Sequence, residues 1–224
     1  MLDMILGNRV SILNLFIYFL SSCAVIFLTM PVHEFAHAFA ATKLGDPTPK
    51  YQGRLSLNPF HHIDYFGALC ILLFGFGWAK PVSINSRNFD NPKRDMALTA
   101  LAGPVSNLIV AFLVLFLTNF IFFLYNILQI GFLVYIAFFF GYIASINIHL
   151  AVFNLIPIPP LDGSRLLCAI LPDSIYYRIM QYERFLFLIV LVLCYTGVLG
   201  GPLSTISNLI YNFFNTVTGF VFGY

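Results

Sequence analysis

Charge is what this sequence has least of. Only 9% of its 224 residues are Asp, Glu, Lys or Arg, while 60% are hydrophobic, and mean hydropathy is +0.89. Ordinary soluble domains carry about 25% charged residues, so that class is excluded and a polytopic membrane protein is indicated. The net charge of +2 leaves no basic footprint for nucleic acid. Cysteine is scarce as well: Cys23, Cys70, Cys168 and Cys194 are scattered, mostly in apolar runs, and no C-x-x-C pair occurs. A disulfide framework and a four-cysteine zinc site are therefore not suggested, and the thiols read as small apolar packers. There is no internal repeat and no linker of disordered composition. The N-terminus lacks a basic region and a small-residue cleavage site, so its first apolar run is expected to be a retained span rather than a removed leader. In contrast, 26 Phe and 12 Tyr suit lipid-facing and interfacial positions.

The apolar runs set the organisation. Residues 10–44 form one stretch, long for one crossing and short for two, which predicts a single helix, tilted or kinked at Pro31. Residues 43–94 hold seven of the eleven Lys and Arg (Lys43, Lys50, Arg54, Lys80, Arg87, Lys93, Arg94), which predicts that this loop faces the cytoplasm. Inside it, residues 67–78 are apolar, glycine-rich and too short to span. Together with Val82-Ser83-Ile84 they predict a re-entrant segment or small β-hairpin around 67–84; a surface loop touching the bilayer is the plainer alternative. Residues 96–124 and 128–155 are two further spans. Asn154 then opens a stretch with Pro157, Pro159 and Pro160, which forbids continuous helix. Residues 164–172 suit a short helix, a span begins at Phe185, and residues 203–222 either cross or lie on the surface. The fold class is thus an all-α polytopic membrane protein of about four to six transmembrane helices. One domain over 1–224 is the simplest division, with a core at 10–172 and C-terminal helices at 173–224.

The stretch with evident chemistry is His33-Glu34-Phe35-Ala36-His37, an H-E-x-x-H pattern inside apolar sequence. Residues four apart on an α-helix share a face, so His33 and His37 can hold one Zn²⁺ while Glu34, beside them, takes a proton from water. Such a site needs a third ligand and an open fourth position. A polar helix end with two surface histidines is the bland alternative, but ionisable groups inside a membrane segment are costly and usually functional. Third-ligand candidates are Asp162, His61, His62, His149 and Asp64. Asp162 sits in irregular backbone between apolar segments, where a carboxylate needs a cation; an ion pair with Arg165 or a helix cap would also satisfy it. His61 and His62 suit a solvated or turn role beside Asn58-Pro59, and His149 suits a packed, hydrogen-bonded one. If residues 45–94 are cytoplasmic, His33, His37 and Asp162 all fall at the cytoplasmic ends of their spans.

Several motifs together resemble the site-2 protease family of intramembrane zinc metalloproteases, in its compact bacterial and archaeal form. They are residues 33–37; residues 53–59 with His62 and Asp64; residues 76–82 (Phe-Gly-Trp-Ala-Lys-Pro-Val); Ala102-Gly103-Pro104 with Asn107; and residues 154–163. They run in family order across residues 31–165. The resemblance implies His33, His37 and Asp162 as zinc ligands and Glu34 as general base. It implies Asn154 near the substrate or tetrahedral intermediate, and Gly77, Trp78, Lys80 and Pro81 in a piece that handles extended substrate. The implied activity is hydrolysis of peptide bonds within or near transmembrane segments of other membrane proteins, in the cell membrane, with the site toward the cytoplasm. The expected partners are such a substrate and the lipid bilayer, with no nucleic acid. Neither a PDZ-like insertion nor a nucleotide-sensing domain is expected. A membrane metal-ion transporter or sensor and an inactive helix-binding scaffold are the rival readings; the single compact ligand set argues against the first and the intact His33-Glu34-His37 and Asp162 set against the second.

Overall fold

A computed structural model describes residues 12–74 and 79–223 of the chain, and among them every regular element is helical. The first span, Ile12–Lys43, is two α-helices, α1 (Ile12–Ala24) and α2 (Met30–Lys43), joined without a break by a π-turn at Val25–Thr29. Pro31 explains the turn. Its ring would collide with the carbonyl four residues back in a regular α-helix, and it has no N–H to bond that carbonyl. Widening the turn just before it relieves both faults. The Met30 N–H instead reaches back five residues to the Val25 carbonyl, which also accepts the Thr29 hydroxyl at 3.1 Å. The irregularity expected at Pro31 thus lies one turn upstream, as a π-insertion, a feature frequent at functional sites.

After α2 the chain reverses at Gly45, whose φ of 109° lies in the left-handed region that suits glycine. The fully buried Asp46 then ties the loop together. Its carboxylate accepts from the Thr48 backbone and hydroxyl, from the Asn85 N–H at 2.7 Å and from the Asn88 side chain at 2.7 Å. A single turn, α3 (Thr48–Tyr51), and a 3₁₀ turn at Pro59–His61 follow, the latter capped by Asn58.

Next comes α4 (Tyr65–Phe74), whose first turn is capped by Asp64 through the Gly67 N–H at 2.8 Å. This corrects half of the hairpin expectation. Residues 67–74 are helical because an Asx cap starts the turn and Ala68, Leu69, Cys70, Leu72 and Leu73 carry no two-residue alternation. The other half, 79–85, is neither helical nor paired as a strand among the described residues; residues 75–78, including Gly77 and Trp78, lie outside them. The α4 helix packs Ile71 and Ala68 on Ile26 and Met30 of the first span, and Ala79 joins the same cluster.

The longest helix, α5 (Pro92–Leu128), opens on a reciprocal cap: Asn91 accepts the Arg94 N–H, and Asp95 accepts the Asn91 N–H at 3.0 Å. Its 37 residues rise about 55 Å, well beyond a hydrocarbon core of about 30 Å. A three-residue turn leads to α6 (Phe132–Asn154). The two pack antiparallel through Ala111 and Leu115 against Ala144, Ile148 and Val152. Beyond the proline-rich turn lie α7 (Asp162–Ile170), α8 (Asp173–Met180), α9 (Glu183–Tyr195) and α10 (Gly200–Phe220). Among the described residues, three helices are long and apolar enough to cross a membrane: Ile12–Lys43, Pro92–Leu128 and Phe132–Asn154. The 13-residue α9 rises only about 20 Å, and α10 is interrupted by Ser, Thr and Asn, with Leu203, Ile210, Tyr211 and Phe214 packed on the α5–α6 core.

Candidate metal centre

His33 and His37 lie one turn apart on α2, both buried and facing α5. Asp162 reaches them from the first turn of α7, delivered by the bend after α6. The three side chains converge on one point. The Nε2 atoms of the two histidines are 3.1 Å apart, and Asp162 Oδ2 lies 3.3 Å from His33 Nε2 and 3.2 Å from His37 Nε2. Ligands held tetrahedrally at about 2.0–2.1 Å from a zinc ion stand about 3.3–3.4 Å from each other, so the triad has the size such an ion needs. The chemistry fits as well. His37 Nδ1 donates to the Thr99 carbonyl at 2.7 Å, which leaves its Nε2 as a lone pair when the ring is neutral. A cation at the common point satisfies all three atoms at once. Burial alone would raise the Asp162 carboxyl, yet the imidazoles of His37 and His33 hold it well below the usual carboxylate range.

Backbone, not only side chains, makes room for this cluster. At Gly103 of α5 a Cβ would lie 2.2 Å from His37 Nε2 and 2.6 Å from His33 Cε1, so only glycine fits there. At Gly163 a Cβ would meet the Leu155 and Ile156 carbonyls at 2.3 and 2.5 Å. Its absence lets the start of α7 fold back on the end of α6 and place Asp162. In the sequence Gly103 stands out only as part of the Ala102-Gly103-Pro104 motif; its place beside the histidines needed the distance.

The cluster forms one wall of a cavity of about 330 Å³. Glu34 lines it, buried, with no hydrogen bond to its carboxylate among the described residues. Asn154, Pro81 and Asp64 line it too, so two of the expected substrate-contact residues face the same space as the histidines. Lys80 is exposed, and its backbone N–H donates to the His62 carbonyl at 2.8 Å. The rest of the wall is apolar, and part of it comes from Phe187, Val190 and Leu191 of α9, a helix that carries no motif and that motif reading passed over. Val190 is anchored there by Phe153 and Leu161.

Among the described residues the other third-ligand candidates do not join the cluster, Asp64 included although it lines the same cavity. Asp64 caps α4, and His149 Nδ1 bonds the Ser145 carbonyl one turn back. His61 offers its carbonyl to Arg54. His62 is buried rather than solvated, with Nε2 2.7 Å from the Ser56 carbonyl, and serves as a pin between residues 56 and 80.

Comparison with known proteins points one way. A family model described as "Peptidase family M50" matches residues 124–196. A Bacillus subtilis protein named "Putative zinc metalloprotease YwhC" is 41% identical over 169 residues, 75% of this chain and 77% of its own length. Rip2 of Mycolicibacterium smegmatis, similarly described, is 31% identical over 199 residues, 84% of this chain and 70% of its own. MJ0611 of Methanocaldococcus jannaschii, also so described, is 31% identical over 139 residues, 60% and 62% of the two chains. No solved structure matches.

Proposed function

Since the chain belongs to peptidase family M50, the site-2 protease family, and is a zinc metallopeptidase, we propose that it hydrolyses peptide bonds within or beside transmembrane segments of membrane proteins. In this reading His33, His37 and Asp162 hold the zinc and Glu34 is the general base. The observation that carries it is the convergence of Nε2, Nε2 and Oδ2 within 3.1–3.3 Å of one another, beside the Glu34 carboxylate on the wall of a largely apolar cavity.

Held by His33, His37 and Asp162, a zinc ion would supply Lewis acidity to the scissile carbonyl and to the attacking water. Glu34 takes the proton from that water and returns it to the leaving amine. Its carboxylate is free for this work, whereas that of Asp162 sits at the point where the two imidazole Nε2 atoms converge. Asn154, at the end of α6 and on the cavity wall, offers an amide N–H₂ to the carbonyl oxygen as negative charge develops there.

A helical substrate hides its carbonyls in hydrogen bonds, so it must unwind to react. Residues 79–85 form neither helix nor strand and border the cavity through Ala79 and Pro81, which leaves their backbone groups outside any helix or sheet. An unwound segment adds to them by strand addition, alongside the exposed Lys80; Gly77 and Trp78 precede them directly in the sequence. The density of Lys and Arg in residues 43–94 orients the site toward the cytoplasm of the cell membrane, the side from which water enters.

The test is cleavage of a single-span substrate in liposomes. Wild-type protein cuts; Glu34→Gln retains its zinc and loses about 10²-fold or more of the rate; 1,10-phenanthroline abolishes cutting. Turnover by the Glu34→Gln protein at the wild-type rate would sink the base assignment. Full zinc content in a His37→Ala or Asp162→Ala protein would reject the ligand set.

A further inference from the structure

One buried atom of the histidine pair has no partner. His37 is held at both nitrogens, Nδ1 by the Thr99 carbonyl and Nε2 at the point of convergence. His33 is held at Nε2 alone; its Nδ1 is buried and unpaired. A histidine that ligates a metal through one nitrogen almost always gives the other N–H to an acceptor, which fixes the tautomer and the ring plane. Leaving a buried N–H unmade costs about 1–3 kcal/mol, so an acceptor is called for.

The register of α2 against α5 points to it. Thr99 meets His37, and Gly103, four residues on, approaches His37 and then His33. The helices are therefore antiparallel at this crossing, and the next turn of α5 on the same face is Asn107. Side chains lean toward the N-terminus of their own helix. Asn107 thus leans back toward Gly103, whose nearest His33 atom is Cε1, the ring carbon bonded to both nitrogens. The Thr99 hydroxyl is also buried and unpaired, but it leans the other way, toward Asp95. Asn107 is 2% exposed, lines the cavity together with His33 and has no hydrogen bond to its side chain among the described residues.

We infer that Asn107 is a positioning residue: its amide oxygen accepts the His33 Nδ1–H, directly or through one buried water, and presents Nε2 as a lone pair to the metal. Asn107 serves His33 as the Thr99 carbonyl serves His37. This rests on the reading of His33 as a zinc ligand.

The experiment measures zinc affinity of the full-length protein in detergent, by competition with a chromophoric chelator, for wild type, Asn107→Ala, Asn107→Asp and His33→Ala. The thermal midpoint of each zinc-free protein is measured alongside. Asn107→Ala should bind zinc about 10–100-fold more weakly with an unchanged zinc-free midpoint. Asn107→Asp, which keeps an acceptor oxygen in place, should recover most of the affinity. Wild-type zinc affinity in Asn107→Ala overturns the inference, whether or not cleavage falls, because the residue would then be acting on substrate or on packing. Equal losses in Asn107→Ala and Asn107→Asp, with lowered zinc-free midpoints, overturn it in favour of a packing role. Wild-type affinity in His33→Ala overturns the ligand reading itself, a separate outcome.

Discussion

Gly103 is the residue whose replacement should be most informative. A methyl group there would occupy space 2.2 Å from His37 Nε2, a contact that neither a packed helix nor a histidine tied to the Thr99 carbonyl can yield to. Gly103→Ala should therefore lower zinc affinity by more than tenfold while leaving helical content intact, as read by metal analysis and far-UV circular dichroism. Unchanged metal binding would mean that α5 stands farther from the histidines. The contrast with His33 and His37 explains what a sequence discloses. Two side chains four apart on one helix are positioned by helix geometry alone, so their convergence is readable without tertiary structure. Asp162 needed a second segment to arrive at the same depth and was one candidate among five on residue chemistry. The parts played by Gly103 and Asn107 depend on how α2 crosses α5, and no periodicity within either helix encodes that crossing.

Among the elements, the apolar runs were legible as helices because bilayer thickness sets their length, and Pro104 did not end α5. Short pieces were harder. Seven apolar residues between Gly67 and Gly75 satisfy a hairpin or a helix equally well, and the Asp64 cap decided for α4. The π-turn at Val25–Thr29 follows from Pro31, but a kink would have relieved the same clash. The loop between the first two spans is governed by Asp46. Burial would raise its carboxyl, but the donors from Thr48, Asn88 and Asn85 hold it below its ordinary value. With the folded value depressed, the stabilisation is complete above the unfolded value of about 3.9 and is lost as pH falls through the lower folded one. Thermal midpoints of wild type should therefore decline below about pH 4, and Asp46→Asn should start lower and show a flatter decline over that window. Parallel curves for the two proteins would mean that another carboxylate sets the acid limit.

At the scale of the molecule, charge asymmetry gives a topology. It predicts that the Lys- and Arg-rich loop between the first two spans lies on one side and the turn at 129–131 on the other, with α5 crossing between them. Single cysteines at Ser83 and Gln129, in a background with Cys23, Cys70, Cys168 and Cys194 replaced, should react with an impermeant maleimide from opposite faces of sealed inverted vesicles, Ser83→Cys from the exposed cytoplasmic face. Labelling of both from one face would reverse or break the arrangement. The C-terminal third shows the limit of motif reading at this scale. Motifs mark atoms that do chemistry, whereas Phe187, Val190 and Leu191 of α9 only enclose space, which many apolar sequences do equally well.

The distance in sequence between the proposed ligands has one more consequence. His37 and Asp162 are 125 positions apart, on elements that otherwise meet mainly through α5. An ion between them is a cross-link that closes most of the chain into a loop. Loading and folding then form a single equilibrium, in which each tenfold rise in free zinc above its dissociation constant adds about 1.4 kcal/mol to stability. Chelation should lower the thermal midpoint in step with the zinc removed, and the Glu34→Gln protein, inert toward substrate, should melt with the same dependence on zinc as the wild type. The metal that serves the reaction would then also be a clasp, and a cell short of zinc would lose the enzyme as well as its activity.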